Sequence, residues 1–74
     1  MVKKGKLDNQ VYLLRTQARL SQQKLAEKVG VTRQTINALE HNRYNPSLVL
    51  AFEIAKVFEK SIEEVFSYSK EESL

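Results

Sequence analysis

The strongest constraint on how this chain folds is a pair of short amphipathic segments that only three residues separate. Apolar side chains recur with helical spacing after Ser21 and again after Thr32, and Gly30-Val31-Thr32 link the two segments. Serine and threonine cap helix N-termini, and glycine adopts the left-handed conformation with which many helices end. The pattern therefore predicts two helices joined by a sharp turn.

Three residues have the properties that such a turn requires. Ala26 is small enough for two helix backbones to approach closely, Gly30 can turn the chain, and the branched Ile36 can fill the angle between the helices. In a helix-turn-helix of this kind the second helix enters the major groove of double-stranded DNA. We therefore predict a helix-turn-helix over residues 21–42.

Helical spacing also covers most of the remaining chain. The other predicted helices are one from a cap at Asp8 to about Ala18, one over residues 48–58 capped by Ser47, and one over residues 62–66 capped by Ser61. We expect an all-α, compact five-helix domain over residues 8–66, preceded by a basic segment at residues 1–7. Residues 67–74 form a short tail that either pairs as a strand with residues 6–8 or frays.

The composition argues against several other classes of protein. The 74 residues include no cysteine, and the lone His41 cannot build a usual His/Cys zinc site, so we expect no disulfide, metal or other cofactor. The sequence has no glycine-rich phosphate loop and no convincing nucleophile motif, which argues against an enzyme or a small-molecule site. The longest apolar run, residues 48–52, is too short to span a membrane, and we expect a cytoplasmic protein.

The charge is distributed unevenly along the chain. Residues 1–45 carry nine Lys and Arg against three Asp and Glu, whereas residues 46–74 carry three against six. A basic half beside an acidic half indicates a surface for a polyanion, although solvated surface charge would give the same count.

The helix-turn-helix segment closely resembles a known family of regulators. Residues 20–40 read LSQQKLAEKVGVTRQTINALE, which resembles the phage Cro/repressor (XRE-like) family. Residues 42–48 (NRYNPSL) and 61–66 (SIEEVF) are similar to short stand-alone members of the cytolysin-operon repressor type. The resemblance covers about residues 9–68. It implies a lambda-repressor-like fold and a transcriptional regulator that binds double-stranded DNA.

The resemblance implies a role for individual side chains. The candidate DNA-binding residues are Gln22, Arg33, Gln34, Thr35, Asn37, Arg43, Tyr44 and Asn45. Gln22 would clamp a phosphate, and Thr35 would contact a phosphate or a thymine methyl. The residues at 33, 34 and 37 would read bases, because Arg can bond guanine and Gln or Asn can bond adenine bidentately. Residues 43–45 would grip the DNA backbone. The alternative for each is an exposed polar side chain without a role.

Other family positions are structural. Arg15 and Glu40 match a pair that bridges the first and third helices. The family often has glycine after the third and fourth helices, where this chain has Asn42 and Glu59. Asparagine tolerates the same backbone conformation, whereas glutamate leaves the geometry of the second turn open.

The fourth predicted helix is apolar almost all round, which exceeds the single stripe that a monomer core requires. The family resemblance implies a homodimer whose recognition helices lie one DNA turn apart, ~34–36 Å. The candidate dimer residues, on the fourth and fifth helices and the tail, are Val57, Ile62, Phe66 and Tyr68. Alternatively, the fourth helix is surrounded within its own small domain.

The sequence therefore predicts a dimeric repressor of a palindromic operator. Two other hypotheses stay open. The first is an antitoxin-type module that binds a protein partner as well as DNA. The second is a nonspecific DNA-compacting protein, which the mixed side chains at residues 33, 34 and 37 argue against.

Overall fold

The computed structural model describes residues 5–70, which form five helices and a two-stranded antiparallel sheet. In chain order the elements are β1 (Gly5–Asn9), α1 (Val11–Gln17), α2 (Gln22–Val29), α3 (Arg33–Glu40), α4 (Leu48–Val57), α5 (Ile62–Val65) and β2 (Phe66–Lys70). The predicted five-helix class and the terminal strand pairing are both confirmed. None of the helices in this part of the chain is long and apolar enough to cross a membrane.

Side-chain caps fix where four of the helices begin. In each case a hydroxyl oxygen accepts a hydrogen bond from the backbone N–H three residues later, which satisfies a donor that the helix itself cannot. The capping residues are Ser21, Thr32, Ser47 and Ser61, as predicted. At Ser61 the Glu64 carboxylate also accepts the Ser61 N–H at 2.8 Å, and this bond lowers the pKa of Glu64.

The predicted cap at Asp8 is wrong, because Asp8 lies within β1 and α1 begins only at Val11. The side chain of Asn9 accepts the Val11 N–H at 3.0 Å instead. The Asp8 carboxylate accepts hydrogen bonds from the Asn9 N–H and from the Asn42 side chain, and both bonds lower its pKa. Residues 5–9 are extended because they pair with β2, which moves Asp8 too far from the helix to cap it.

Helix ends also differ slightly from the prediction. The fifth helix stops at Val65 because Phe66 already belongs to β2, and α4 stops at Val57 with Phe58 as its C-terminal cap. The first helix stops at Gln17, one residue earlier than predicted.

The sheet joins the two ends of the described chain. Leu7 lies opposite Tyr68, and Gly5 lies opposite Lys70. The Gly5 N–H donates to the Tyr68 hydroxyl at 2.9 Å. A Cβ on Gly5 would lie 2.2 Å from the Tyr68 ring, so the aromatic side chain can cross the strand only where the glycine leaves space.

In the described chain, one residue with a left-handed backbone conformation follows each of the first four helices. Gly30 has φ 76°, as its place after α2 predicts, and Asn42 and Glu59 have φ 58° and 53°. Asn42 and Glu59 therefore adopt the backbone conformation that the family usually gives to glycine. Arg19 also has φ 59°, which nothing in the sequence indicated.

The core lies where the helix-turn-helix meets α4. Ala26 and Ile36 are fully buried at the crossing of α2 and α3, as the turn geometry predicted. The other buried members of the core are Val11, Leu25, Leu39, Leu50, Ile54, Ala55 and Val65. Because the inner side of α3 is packed in this core, its orientation relative to the rest of the domain is fixed.

A buried ion pair joins α1 to the end of α3. The Arg15 Nε donates to a Glu40 carboxylate oxygen at 2.6 Å, and Nη2 donates to the other oxygen at 3.2 Å. The remaining Arg15 Nη1 donates to the Leu20 carbonyl at 2.8 Å. The Glu40 side chain is only 2% exposed, and its hydrogen bond raises the pKa of Arg15.

We expect the Glu40→Ala substitution to lower the free energy of unfolding by ~3–5 kcal/mol, because it leaves the buried Arg15 charge without its partner. The matched control is Glu27→Ala, whose carboxylate pairs with Lys24 at 3.9 Å on the exposed surface of α2. That pair should contribute ~0–1 kcal/mol. Urea unfolding at neutral pH measures both losses. A Glu40→Ala loss no larger than the control would contradict a structural role for the pair.

Candidate nucleic-acid interface

The outer face of α3 is polar and exposed, whereas its inner face carries buried Ile36 and Leu39. An open depression of about 300 Å³ lies on this outer face. Its lining residues are Arg33, Gln34, Asn37, Ala38 and Arg43. The structure therefore brings the three predicted base-reading residues together and adds Arg43 from the segment after the helix.

The chemistry of this depression suits a polyanion with hydrogen-bonding edges. Two lining side chains are guanidinium groups and two are amides, and none is acidic. Guanidinium groups donate to phosphates and to guanine, and amides can donate and accept at the same base edge. Thr32 caps the N-terminal end of α3 with an uncharged hydroxyl, and the first turn of the helix has no acidic side chain.

Ala38 is a lining residue that the sequence analysis missed. It lies one helical turn after Gln34 and is half-buried in the depression. The i, i+4 spacing from Gln34 was the available signal, but an alanine in a helix is more often a plain helix former. A methyl group in this position is suited to contact the 5-methyl group of thymine.

Thr35 and the residues after Arg43 are placed differently from the base-reading residues. Thr35 is half-buried at the start of α3, where its N–H donates to Thr32 Oγ1 at 3.2 Å, and it does not line the depression. Tyr44 and Asn45 lie in the exposed segment between α3 and α4. Arg43 is tied to the helix because its N–H donates to the Ala38 carbonyl at 2.8 Å.

Gln22 begins α2 and contacts two side chains of α3. Its Nε2 donates to Glu40 Oε1 at 3.0 Å, and its Oε1 accepts from Asn37 Nδ2 at 3.4 Å. Gln22 is half-buried, and its amide lies beside the outer face of α3 while it bonds these two side chains. No sequence pattern indicated these contacts, because they depend on how α2 and α3 cross.

The four candidate dimer residues differ in exposure. Val57, Ile62 and Phe66 are half-buried, and Val57 and Phe66 pack against the core of their own domain. Tyr68 is exposed on β2. Ile62 and Phe66 also line a groove of about 270 Å³ together with Leu48 from α4.

Three large apolar side chains of α4 are more exposed than the half-buried candidates Val57, Ile62 and Phe66. Leu48, Val49 and Phe52 are 68%, 72% and 51% exposed, and we call them the apolar patch. The sequence showed that α4 is apolar almost all round but not which side packs inward. The inward side carries Leu50 and Ile54, which leaves the apolar patch outside.

In the described part of the chain, no group of three or more His, Cys, Asp and Glu side chains could hold a metal ion.

Two relatives are similar to the chain over most of its length. One, named as an uncharacterized HTH-type transcriptional regulator of Methanocaldococcus jannaschii, is 47% identical over 66 residues, which are 89% of this chain and 100% of the relative. The other, the uncharacterized HTH-type transcriptional regulator YgzD of Bacillus subtilis, is 48% identical over 65 residues, 88% of this chain and 98% of the relative.

A solved structure has a similar fold. The transcriptional regulator VanUg matches with a TM-score of 0.75 at 21% identity, over 95% of this chain and 93% of that one. The pattern of the helix-turn-helix family matches residues 11–65, from the start of α1 to the end of α5. The chain therefore belongs to the helix-turn-helix family, among its Cro/repressor (XRE-like) members.

Proposed function

We propose that this protein is a transcriptional regulator that binds a specific double-stranded DNA sequence by inserting α3 into the major groove. The observation that carries the proposal is the depression on the outer face of α3, where two guanidinium groups and two amides surround the methyl group of Ala38. This combination offers donors, acceptors and an apolar contact, which together distinguish base pairs in the major groove.

The proposed base-reading residues are Arg33, Gln34 and Asn37, which share the depression. Phosphate contacts come from the surrounding residues, namely Gln22, Arg43, Tyr44 and Asn45, and Thr35 contacts a phosphate or a thymine methyl. The phosphate contacts fix how the protein docks and do not by themselves select a sequence. The excess of basic residues in the first 45 positions supports this orientation toward DNA.

The relatives support regulation as the outcome of binding, because both are named as HTH-type transcriptional regulators. We further propose that the protein is a repressor, which blocks transcription by occupying its operator. Since its ligand is chromosomal DNA, we expect it to act in the cytoplasm. A mixed set of reading side chains argues against nonspecific compaction, which would need only the phosphate contacts.

A homodimer on a palindromic operator is the proposed assembly. The three large hydrophobic side chains of the apolar patch on α4 are exposed in a single domain, which favours their burial against a second surface. The groove lined by Leu48, Ile62 and Phe66 shares Leu48 with this patch and includes two of the candidate dimer residues. Tyr68 and Val57 are proposed at the edges of the same interface.

The apolar patch also supports a second candidate function. An antitoxin-type protein would use such a surface for a different protein partner and would bind DNA with α3 in the same way. The two candidates differ in what covers the patch, so the oligomeric state of the purified protein distinguishes them.

Replacing Gln34 by Ala should reduce discrimination at one base pair of the binding site by ~1–3 kcal/mol, because it removes a bidentate contact to one base. The site is first obtained by selecting bound duplexes from a random DNA pool. The matched control is Gln23→Ala, since Gln23 is on α2 and its amide donates to Glu27 at 3.2 Å. If Gln34→Ala keeps both affinity and base preference, α3 does not read DNA through this face.

We expect sedimentation to give twice the 8.6 kDa chain mass at micromolar concentration. Val49→Glu and Phe52→Glu should shift the protein to monomer, because they place a charge in the buried interface. Gln23→Glu adds the same charge on α2 and should leave the dimer intact. A wild-type monomer at all concentrations would exclude the homodimer, and a need for a co-expressed partner would favour the antitoxin-type function.

A further inference from the structure

We propose that Gln22 is a positioning residue that fixes which edge of the Asn37 side chain faces the DNA. The proposal rests on the proposed function and adds a chemical preference at one base pair. It starts from a chain of hydrogen bonds that runs from buried Arg15 through Glu40 and Gln22 to exposed Asn37.

The side chain of Glu40 is only 2% exposed, and its carboxylate is paired with Arg15. An ionised carboxylate can only accept hydrogen bonds. Its Oε1 accepts from Arg15 Nη2 at 3.2 Å and from Gln22 Nε2 at 3.0 Å. Any amide that contacts this oxygen must therefore present its NH₂ group to it.

The contact with Glu40 sets the orientation of the Gln22 amide. With its Nε2 turned to Glu40, its Oε1 is turned away and lies 3.4 Å from Asn37 Nδ2. The flipped amide would place two acceptor oxygens against each other beside a nearly buried charge. Because that contact is repulsive, Gln22 offers only an acceptor to Asn37.

The contact with Gln22 limits the hydrogen-bonding groups that Asn37 can offer to DNA. One of its two Nδ2 hydrogens points to Gln22, so the exposed side chain keeps one N–H donor and the Oδ1 acceptor. Adenine and cytosine carry an amino group on their major-groove edge that can donate to Oδ1. Guanine and thymine carry a carbonyl oxygen there, which Oδ1 would repel.

Asn37 therefore selects an amino-bearing base, adenine or cytosine, at the position it contacts. An asparagine without this restraint could turn and give both N–H groups to the two acceptors of guanine. Within this chain the turned arrangement would break the bond to Gln22. Gln22 thus acts on specificity through Asn37, in addition to any phosphate contact of its own.

The experiment compares base preferences of the wild type, Asn37→Ala, Gln22→Met and the double variant in selection from a random duplex pool. Asn37→Ala identifies the base pair concerned as the one where preference is lost. At that pair the wild type should prefer adenine or cytosine over guanine and thymine by about fivefold or more. Gln22→Met, which has similar length and no amide, should remove most of that preference and leave the other positions unchanged.

In the double variant, Gln22→Met should change nothing further at that pair. Gln23→Met is the matched control, because Gln23 lies on the exposed side of α2 and its side chain donates to Glu27 rather than to α3. It should retain every preference of the wild type.

Several results would overturn the inference while leaving the proposed function in place. These are a preference for guanine or thymine at the Asn37 pair, no altered pair in Asn37→Ala, and an unchanged base preference in Gln22→Met, with or without a uniform loss of affinity. The last would make Gln22 a backbone clamp only. A wild type that selects no motif would overturn the proposed function itself, and with it the base preference.

A second measurement examines the contact without DNA. In ¹H–¹⁵N spectra of the free protein, the side-chain amide resonances of Asn37 should shift in Gln22→Met and stay in place in Gln23→Met. Unshifted resonances in Gln22→Met would overturn the inference whatever the selection shows.

Discussion

The pairing of Arg15 with Glu40 inside the domain limits how every neighbouring element can be arranged. A carboxylate that is 2% exposed must keep its donors, and these come from α1 and from the first residue of α2. Arg15 in turn holds the Leu20 carbonyl in the turn between those helices. Burial of Ile36 and Leu39 drives α3 inward, and the polar contacts then restrict its rotation and translation. The exposed side chains of α3 are consequently presented at a fixed angle.

The features that the sequence predicted well are those with local chemical causes. Ser21, Thr32 and Gly30 act within four residues of themselves, so caps and the turn could be identified from single positions. The predicted cap at Asp8 was wrong because Asp8 lies in a strand whose partner comes from the far end of the chain, which no local pattern indicates. The left-handed backbone of Arg19 has no local cause in its residue type, since arginine rarely adopts it.

The candidate interface divides in the same way. The family resemblance implied that Arg33, Gln34 and Asn37 act together, and the structure adds Ala38 and Arg43 to the same depression. The bonds of Gln22 could not be predicted, since they depend on the crossing of two helices. On α4 the even spread of apolar residues concealed which side is exposed. The described residues thus present a polar surface on α3 and an apolar one on α4.

Because Gly5 and Lys70 lie opposite each other in the sheet, the two ends of the described chain are close together. Opposed residues in an antiparallel pair have Cα atoms only about 4.5–5.5 Å apart, a gap that a few residues can bridge. The segment at residues 41–47 has neither helix nor strand and is exposed over most of its length. A circular permutant that joins the strands and opens there would keep α1 to α3 and α4 to α5 as two intact blocks. Such a permutant would show whether their order along the chain is separable from the way in which they pack.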